Sequence, residues 1–132
     1  MSSNLIKTLM KFHVFSILCG TSIFILCTIQ IPPEDNISQF PNFDKFVHFM
    51  MYFALSTAVI LETLNIRSGS GKDLLRAFLA AIIVSAIFGG LIEFVQSGFT
   101  DYRSGDIMDW VFDLSGSVSS CLLTGLIRLA FR

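Results

Sequence analysis

Apolar residues fill four long runs of this chain, and short polar segments separate the runs. The runs cover residues 12–31, 43–64, 74–95 and 107–130. Each is close to the roughly 20 residues that an α-helix needs to cross a hydrocarbon core of about 30 Å. The pattern therefore predicts an all-α membrane protein in which four transmembrane helices form one bundle.

The first run could alternatively be the core of a cleaved signal peptide. It is longer than the roughly 7 to 15 apolar residues of such a core, and it lacks a small-residue cleavage site. Pro32 and Pro33 follow it, as expected where a transmembrane helix gives way to an extended loop. We therefore predict a cytoplasmic segment at residues 1–11 and a single transmembrane domain at residues 12–132.

Composition excludes a soluble domain. Hydrophobic residues make up 53% of the chain and charged residues 14%, with a mean hydropathy of +0.71, whereas about 25% of an ordinary soluble domain is charged. The net charge of −1 and the pI near 6.0 give no sign of a nucleic-acid partner. Three cysteines lie in apolar runs without the spacing of metal ligands, so we interpret them as buried packing thiols.

Basic residues are distributed unevenly between the two sides of the predicted bundle. Only Lys45 and Arg103 lie on the side away from the amino terminus. The other seven of the nine are Lys7, Lys11, Arg67, Lys72, Arg76, Arg128 and Arg132. Since short loops rich in Lys and Arg stay in the cytoplasm, we expect both termini to be cytoplasmic.

Small and polar residues recur at spacings of three or four on three of the predicted helices, which places each series on one helix face. The series are Asp44, His48, Tyr52 and Ser56; Ala77, Ala81, Ser85, Gly89 and Glu93; and Asp109, Asp113, Gly116, Ser120 and Thr124. Membrane helices pack closely along such faces. We therefore expect the three series to meet, with their ionisable members together at the outer end.

That outer end collects an excess of negative charge. Five carboxylates and two cations leave a net of three negative charges. The carboxylates are Asp44, Glu93, Asp106, Asp109 and Asp113, and the cations are Lys45 and Arg103. Buried ionisable groups cost at least a few kcal/mol each unless they are paired or hydrated. Protonated carboxyls, a protonated His48 or a bound divalent cation would compensate the charge. The alternatives without function are a structural network, helix capping by Asp44 and Asp106, and an ion pair of Arg103 with a nearby aspartate.

Three roles are predicted within this cluster. His48 and Glu93 are the acid and base candidates, since an imidazole and a carboxylate at one depth can divide proton donation and acceptance. The candidates for contacts to a bound head group are Lys45, Tyr52, Gln96 and Arg103. The candidates for ligands of Mg²⁺ or a similar hard cation are Asp106, Asp109 and Asp113.

The residues of this cluster also carry a family resemblance. Asp44-Lys45-Phe46-Val47-His48-Phe49 with Tyr52, Gly90-Leu91-Ile92-Glu93-Phe94-Val95-Gln96, and Arg103-Ser104 followed by Asp106, Asp109 and Gly116 resemble the signature of the VanZ-like membrane proteins. The similarity covers about residues 43–116. It implies a small helical bundle in the bacterial cytoplasmic (inner) membrane, and the family is named after a member associated with teicoplanin resistance. Asp113 stands where Asn is usual in this family, and Tyr102 stands where Gly is common.

The leading functional hypothesis is an outer-facing pocket that binds the polar head group of an envelope lipid, such as a phosphate-bearing one. The same pocket offers an acid and a base for chemistry on that lipid, but the sequence does not decide whether the protein is an enzyme. The alternative is a non-catalytic scaffold whose outer loops contact an envelope protein or a second copy of the chain. A proton-coupled transporter is a third hypothesis, disfavoured because the chain shows no inverted repeat.

Overall fold

The computed structural model describes residues 3–29, 42–66, 70–99 and 105–131. Every regular element in these ranges is an α-helix, which confirms the all-α fold class. The helices are α1 (Ser3–Lys11), α2 (Val14–Thr28), α3 (Phe43–Ile66), α4 (Gly71–Phe99) and α5 (Ile107–Ala130).

Three of these helices, α3, α4 and α5, are long and apolar enough to cross a membrane. The pair α1 and α2 counts as a fourth span if the two are taken together across a bend of 61°. The limits of α5 match the predicted run, α3 extends slightly beyond its carboxyl end, and α4 is longer than its run at both ends. A multi-pass membrane protein is therefore confirmed, with three spans and a fourth that depends on the bent pair.

The structure differs most from the sequence pattern at the start of the chain. Residues 3–11 form a helix of their own, although the pattern predicted only a cytoplasmic segment there. The next helix begins at Val14 instead of residue 12, because His13 adopts a left-handed backbone conformation with a φ of 54°.

The cause of this break lies on α3, in the carboxylate of Glu62. Its Oε1 accepts a hydrogen bond of 2.8 Å from the backbone N–H of Phe15. Its Oε2 accepts from both the backbone N–H and the hydroxyl of Ser16. The first N–H groups of a helix lack partners within that helix, and an acceptor with negative charge satisfies them well. Glu62 therefore fixes where α2 begins.

Close packing of α3, α4 and α5 positions the polar residues. A Cβ atom at Gly116 would overlap the backbone carbonyl oxygen of Phe49, so glycine allows α5 to approach α3. The hydroxyl of Ser56 bonds the hydroxyls of Ser85 at 3.0 Å and Ser117 at 2.8 Å, and so joins all three helices. Hydrogen bonds between membrane helices contribute roughly 0.6 kcal/mol each on average. The prediction that the three small-residue faces meet is confirmed.

Local capping sets the amino-terminal ends of α4 and α5. Ser70 and Asp73 bond each other reciprocally at the start of α4, with a hydroxyl to carboxylate distance of 2.8 Å. Asp106 precedes α5, and its side chain accepts a hydrogen bond of 2.8 Å from the N–H of Met108. Both arrangements satisfy N–H groups that the helix leaves without partners.

Candidate functional site

A cluster of ionisable side chains lies at the end of the bundle where α3 and α5 begin and α4 ends. We call it the polar cluster. Its members are Asp44, Lys45, His48, Tyr52, Glu93, Asp106, Asp109 and Asp113.

The centre of the polar cluster is a hydrogen-bonded pair formed by His48 and Asp113. The Nδ1 atom of His48 lies 2.9 Å from Oδ1 of Asp113, and both side chains are buried. An ionised carboxylate can only accept, so with Asp113 ionised Nδ1 carries the proton that is donated. Gly89 on α4 leaves room for this pair, since a Cβ atom there would lie 2.7 Å from Oδ2 of Asp113.

The other nitrogen of His48 faces Asp109. Its Nε2 atom is buried, lies 3.8 Å from Oδ2 of Asp109, and has no hydrogen-bond partner within the described part of the chain. A separation of 3.8 Å is too long for a hydrogen bond. A neutral imidazole with its proton on Nδ1 would keep an unused lone pair on Nε2, directed at the Asp109 carboxylate across this gap.

Glu93 is half-buried and uses only one of its two carboxylate oxygens. Oε2 accepts a hydrogen bond of 2.6 Å from the backbone N–H of Asp106, whereas Oε1 is buried without a partner among the described residues. Gly105 permits this contact, because a Cβ atom there would lie 2.7 Å from the backbone oxygen of Glu93. The carboxylate thus holds the start of α5 and leaves one oxygen for another donor.

Lys45 provides positive charge beside the carboxylates. Its Nζ atom lies 3.0 Å from Oδ2 of Asp106 and 3.5 Å from Oδ1 of Asp109. The hydrogen bond from the N–H of Met108, followed by that from Lys45, holds the pKa of Asp106 below its usual value. Lys45 therefore neutralises the rim of the polar cluster rather than the His48 and Asp113 pair.

Tyr52 lies one helical turn beyond His48 on α3. Its side chain is completely buried and packs beside Phe88, with ring centroids 6.3 Å apart. Within the described residues its hydroxyl has no hydrogen-bond partner. A buried hydroxyl without a partner costs free energy, so this group favours an additional ligand or water.

Two predicted head-group residues stand apart from these contacts. The amide nitrogen of Gln96 donates a hydrogen bond of 3.0 Å to the backbone carbonyl of Cys27, which ties α4 to the end of α2. Arg103 lies outside the described residues. Ligand binding by either residue stays a prediction.

The structure groups the candidate metal ligands differently from the sequence prediction. Two sets place one ligand atom of each member within 4.8 Å of the others: Asp44, His48 and Asp109; and His48, Glu93 and Asp113. His48 belongs to both sets and Asp106 to neither. The predicted ligand set of Asp106, Asp109 and Asp113 stays a prediction, and the structure places His48 between Asp109 and Asp113.

Glu62 is a buried carboxylate that the sequence analysis did not identify. Its side chain is 1% exposed. The available signal was its spacing of three and then four residues from Val59 and Leu55, which are also buried. It lies on the same face of α3, so burial followed from the helical period.

Comparisons with known proteins identify the family of the chain. No curated protein and no solved structure matches the chain. A sequence profile of the family described as VanZ/LLP1 matches residues 2–128, which is almost the whole chain. This range includes α1 to α4, all but the last two residues of α5 and every member of the polar cluster. The chain therefore belongs to the VanZ/LLP1 family of helical membrane proteins.

Proposed function

We propose that the polar cluster binds the polar head group of an envelope lipid at the outer surface of a bacterial cytoplasmic membrane. One observation carries the proposal: four buried polar atoms converge from α3, α4 and α5 without hydrogen-bond partners among the described residues. They are Nε2 of His48, the hydroxyl of Tyr52, Oε1 of Glu93 and Oδ2 of Asp113. Such atoms are costly unless a ligand or water satisfies them.

The surroundings of the cluster favour an amphiphilic ligand. Large apolar side chains are exposed beside it on each helix: Phe46 is 58% exposed, Phe94 is 65% exposed and Ile107 is 71% exposed. In a bilayer these side chains contact acyl chains, while the polar residues lie at the depth of head groups. A lipid could therefore place its head group in the cluster and its tails against the same three helices.

The orientation of the chain supports the outer surface as the location. The uneven distribution of Lys and Arg favours a cytoplasmic position for both termini. Because α3 and α5 begin at the polar cluster and α4 ends there, the cluster lies at the opposite surface from the carboxyl-terminal end of α5. In a bacterium that surface is the one where cell-wall and outer-leaflet lipids are found.

The same residues could act on a bound head group. The lone pair on Nε2 of His48 and the unused Oε1 of Glu93 are the proton-accepting groups. Asp113 would hold the imidazole in the required tautomer through its 2.9 Å hydrogen bond. A scaffold without catalysis is the second candidate, favoured by the buried hydroxyls of Ser56, Ser85 and Ser117, which join the three helices.

Lipid retention tests the binding proposal directly. The protein is purified in mild detergent with phosphatidylglycerol, phosphatidylethanolamine and a polyprenyl phosphate, and retained lipid is measured by native mass spectrometry. We expect the wild type to retain one of these lipids and Tyr52→Phe and Glu93→Gln to retain at least about five-fold less, about 1 kcal/mol of binding free energy. Ser115→Ala is the matched control, since Ser115 is exposed on α5 and its hydroxyl donates to the carbonyl of Val111 in the same helix. Equal retention in all four proteins would refute head-group binding and favour the scaffold.

A cysteine pair tests the orientation. Ser97→Cys lies at the exposed outer end of α4 and Lys72→Cys lies at its exposed inner end. In a background with Cys19, Cys27 and Cys121 replaced by alanine, an impermeant thiol reagent should label only Ser97→Cys in intact cells. Labelling of Lys72→Cys alone would show the opposite orientation, and the polar cluster would then not lie at the outer surface.

A further inference from the structure

We propose that the polar cluster also contains a site for a divalent transition-metal ion. Its ligands are Nε2 of His48, Oδ2 of Asp109 and a carboxylate oxygen of Asp44, and Asp113 is a positioning residue for the imidazole. The inference shares His48 with the proposed head-group site, but side chains of this chain alone would hold the ion, so metal binding and lipid binding are measured separately.

The first support is the gap between His48 and Asp109. Nε2 of His48 is buried and lacks a hydrogen-bond partner within the described ranges, although Oδ2 of Asp109 lies only 3.8 Å away. Two ligands at about 2.1 Å from one ion, near the tetrahedral angle, lie roughly 3.4 Å apart. The gap is therefore too wide for a hydrogen bond but close to the separation of two ligands on one metal ion.

The second support is the position of Asp113 behind the imidazole. It accepts the Nδ1 proton of His48 at 2.9 Å, which directs the lone pair of Nε2 towards Asp109. Histidine ligands of metal ions usually donate their other ring N–H to a carboxylate or carbonyl in this way. The contact with Asp113 thus favours the tautomer of His48 that metal binding requires.

Charge also favours a cation at this position. Lys45 contacts Oδ1 of Asp109 at 3.5 Å and Oδ2 of Asp106 at 3.0 Å. The proposed ligand atom of Asp109 is its other oxygen, Oδ2, which faces His48. Asp44 contributes a third ligand atom within 4.8 Å of those of His48 and Asp109, and it is exposed at the mouth of the cluster. A divalent ion would reduce the repulsion among these carboxylates, and its remaining positions would face the outer surface.

The ligand types indicate the class of ion. Mg²⁺ in proteins is held almost entirely by oxygen atoms, whereas imidazole nitrogen suits Zn²⁺ and other transition metals. One imidazole and two carboxylates therefore favour Zn²⁺ or Mn²⁺ over Mg²⁺. With a metal ion on Nε2, His48 acts as a ligand, and Glu93 remains as the neighbouring base.

The test measures metal bound to the purified full-length protein in detergent. After treatment with a chelator, the protein is equilibrated separately with Zn²⁺, Mn²⁺ and Mg²⁺, and bound metal is measured by elemental analysis and titration calorimetry. We expect about one equivalent of Zn²⁺ or Mn²⁺ per wild-type chain and weaker binding of Mg²⁺. Less than a tenth of an equivalent of both transition metals would overturn the proposal, whatever the lipid measurements show.

Four variants test the ligand assignment. Asp109→Asn should weaken binding by more than ten-fold, and Asp113→Leu by about 10- to 100-fold, the usual effect of removing an orienting partner. Asp113→Asn should restore most of the affinity, because its amide oxygen can still accept from His48. Asp73→Asn, a buried carboxylate at the opposite end of α4, is the matched control and should bind as the wild type does.

A spectroscopic measurement on the wild type does not depend on whether the variants fold. X-ray absorption of the Zn²⁺-loaded protein should show one imidazole and several oxygen neighbours. A sulfur neighbour, from one of the three cysteines, or the absence of imidazole would overturn the assignment of His48.

Discussion

Within the described ranges, a buried carboxylate lies beside a histidine at each end of the bundle, and the two groupings differ in how many of their carboxylate oxygens have hydrogen-bond donors. At the start of α2, both oxygens of Glu62 accept hydrogen bonds, and Nδ1 of His13 lies 3.3 Å from Oε2. In the polar cluster, Glu93 and Asp113 each keep one buried oxygen without a partner among the described residues. The first grouping uses its charge to hold a helix start. The second retains unused acceptors, which is the property expected of a binding site.

The largest effect is expected from Glu62→Gln. Every side-chain oxygen of Glu62 faces a donor, so an amide NH₂ in place of one oxygen would bring two donors together. Hydrogen bonds to charged groups contribute about 1.5–3 kcal/mol each, and we expect the free energy of unfolding to fall by about 2–3 kcal/mol. Denaturant unfolding in detergent, followed by the fluorescence of Trp110, measures the change. A loss below about 0.5 kcal/mol would show that the hydrogen bonds of Glu62 stabilise the fold no more than those of the polar cluster do.

A smaller effect is expected from Gly89→Ala, with Gly90→Ala as its matched control. At Gly89 the new Cβ would lie 2.7 Å from Oδ2 of Asp113 and 3.0 Å from the Trp110 ring, so the carboxylate has to shift. At Gly90 the nearest atom is Nε1 of Trp110 at 3.8 Å, which is an ordinary contact. We expect a loss of about 1–2 kcal/mol and weaker metal binding in Gly89→Ala alone. Equal behaviour of the two variants would contradict the role of Gly89 in placing Asp113.

Glu93→Gln should separate stability from binding. The amide oxygen of glutamine can accept from the Asp106 N–H, and its NH₂ replaces the oxygen that has no partner. We therefore expect the free energy of unfolding to change by less than about 0.5 kcal/mol while lipid retention falls. Denaturant unfolding and lipid retention measure the two effects, and Glu62→Gln should show the larger loss of stability. A stability loss as large as that of Glu62→Gln would show that Glu93, like Glu62, serves mainly to stabilise the fold.

The smallest change in stability is expected from Tyr52→Phe. The variant keeps the ring contact with Phe88 and removes a buried hydroxyl that has no partner within the described residues. Removing such a hydroxyl costs no hydrogen bond, so the melting temperature should stay the same or rise slightly. A clear fall in melting temperature would reveal a structural hydrogen bond of this hydroxyl to a group outside the described residues.

The sequence was sufficient to predict the packing faces. The series through Ser85 on α4, Gly116 on α5 and Ser56 on α3 follow the helical period, and all three residues are buried where the faces meet. Period and depth are properties of a single helix, and each can be counted along the chain.

The sequence could not predict which polar groups would pair. His48 bonds Asp113 rather than Glu93 because of the rotation and close approach of α3 and α5, and neither is visible in spacing. The break at His13 was also hidden, since neither proline nor glycine marks it. It depends on Glu62, which is 47 residues away from its partner Phe15. Both features arise from contacts between helices.

The short length of α2 has a consequence for the bilayer around the protein. Its 15 residues rise only about 22 Å, less than a hydrocarbon core of about 30 Å. Glu62 fixes its first turn and Gln96 bonds the carbonyl of Cys27 near its last, so the helix cannot slide to cover the difference. Lipid beside α2 must therefore compress, or the adjoining chain must enter the apolar layer. Where α2 faces lipid, this short helix would give the protein a preferred side for short-chain lipids.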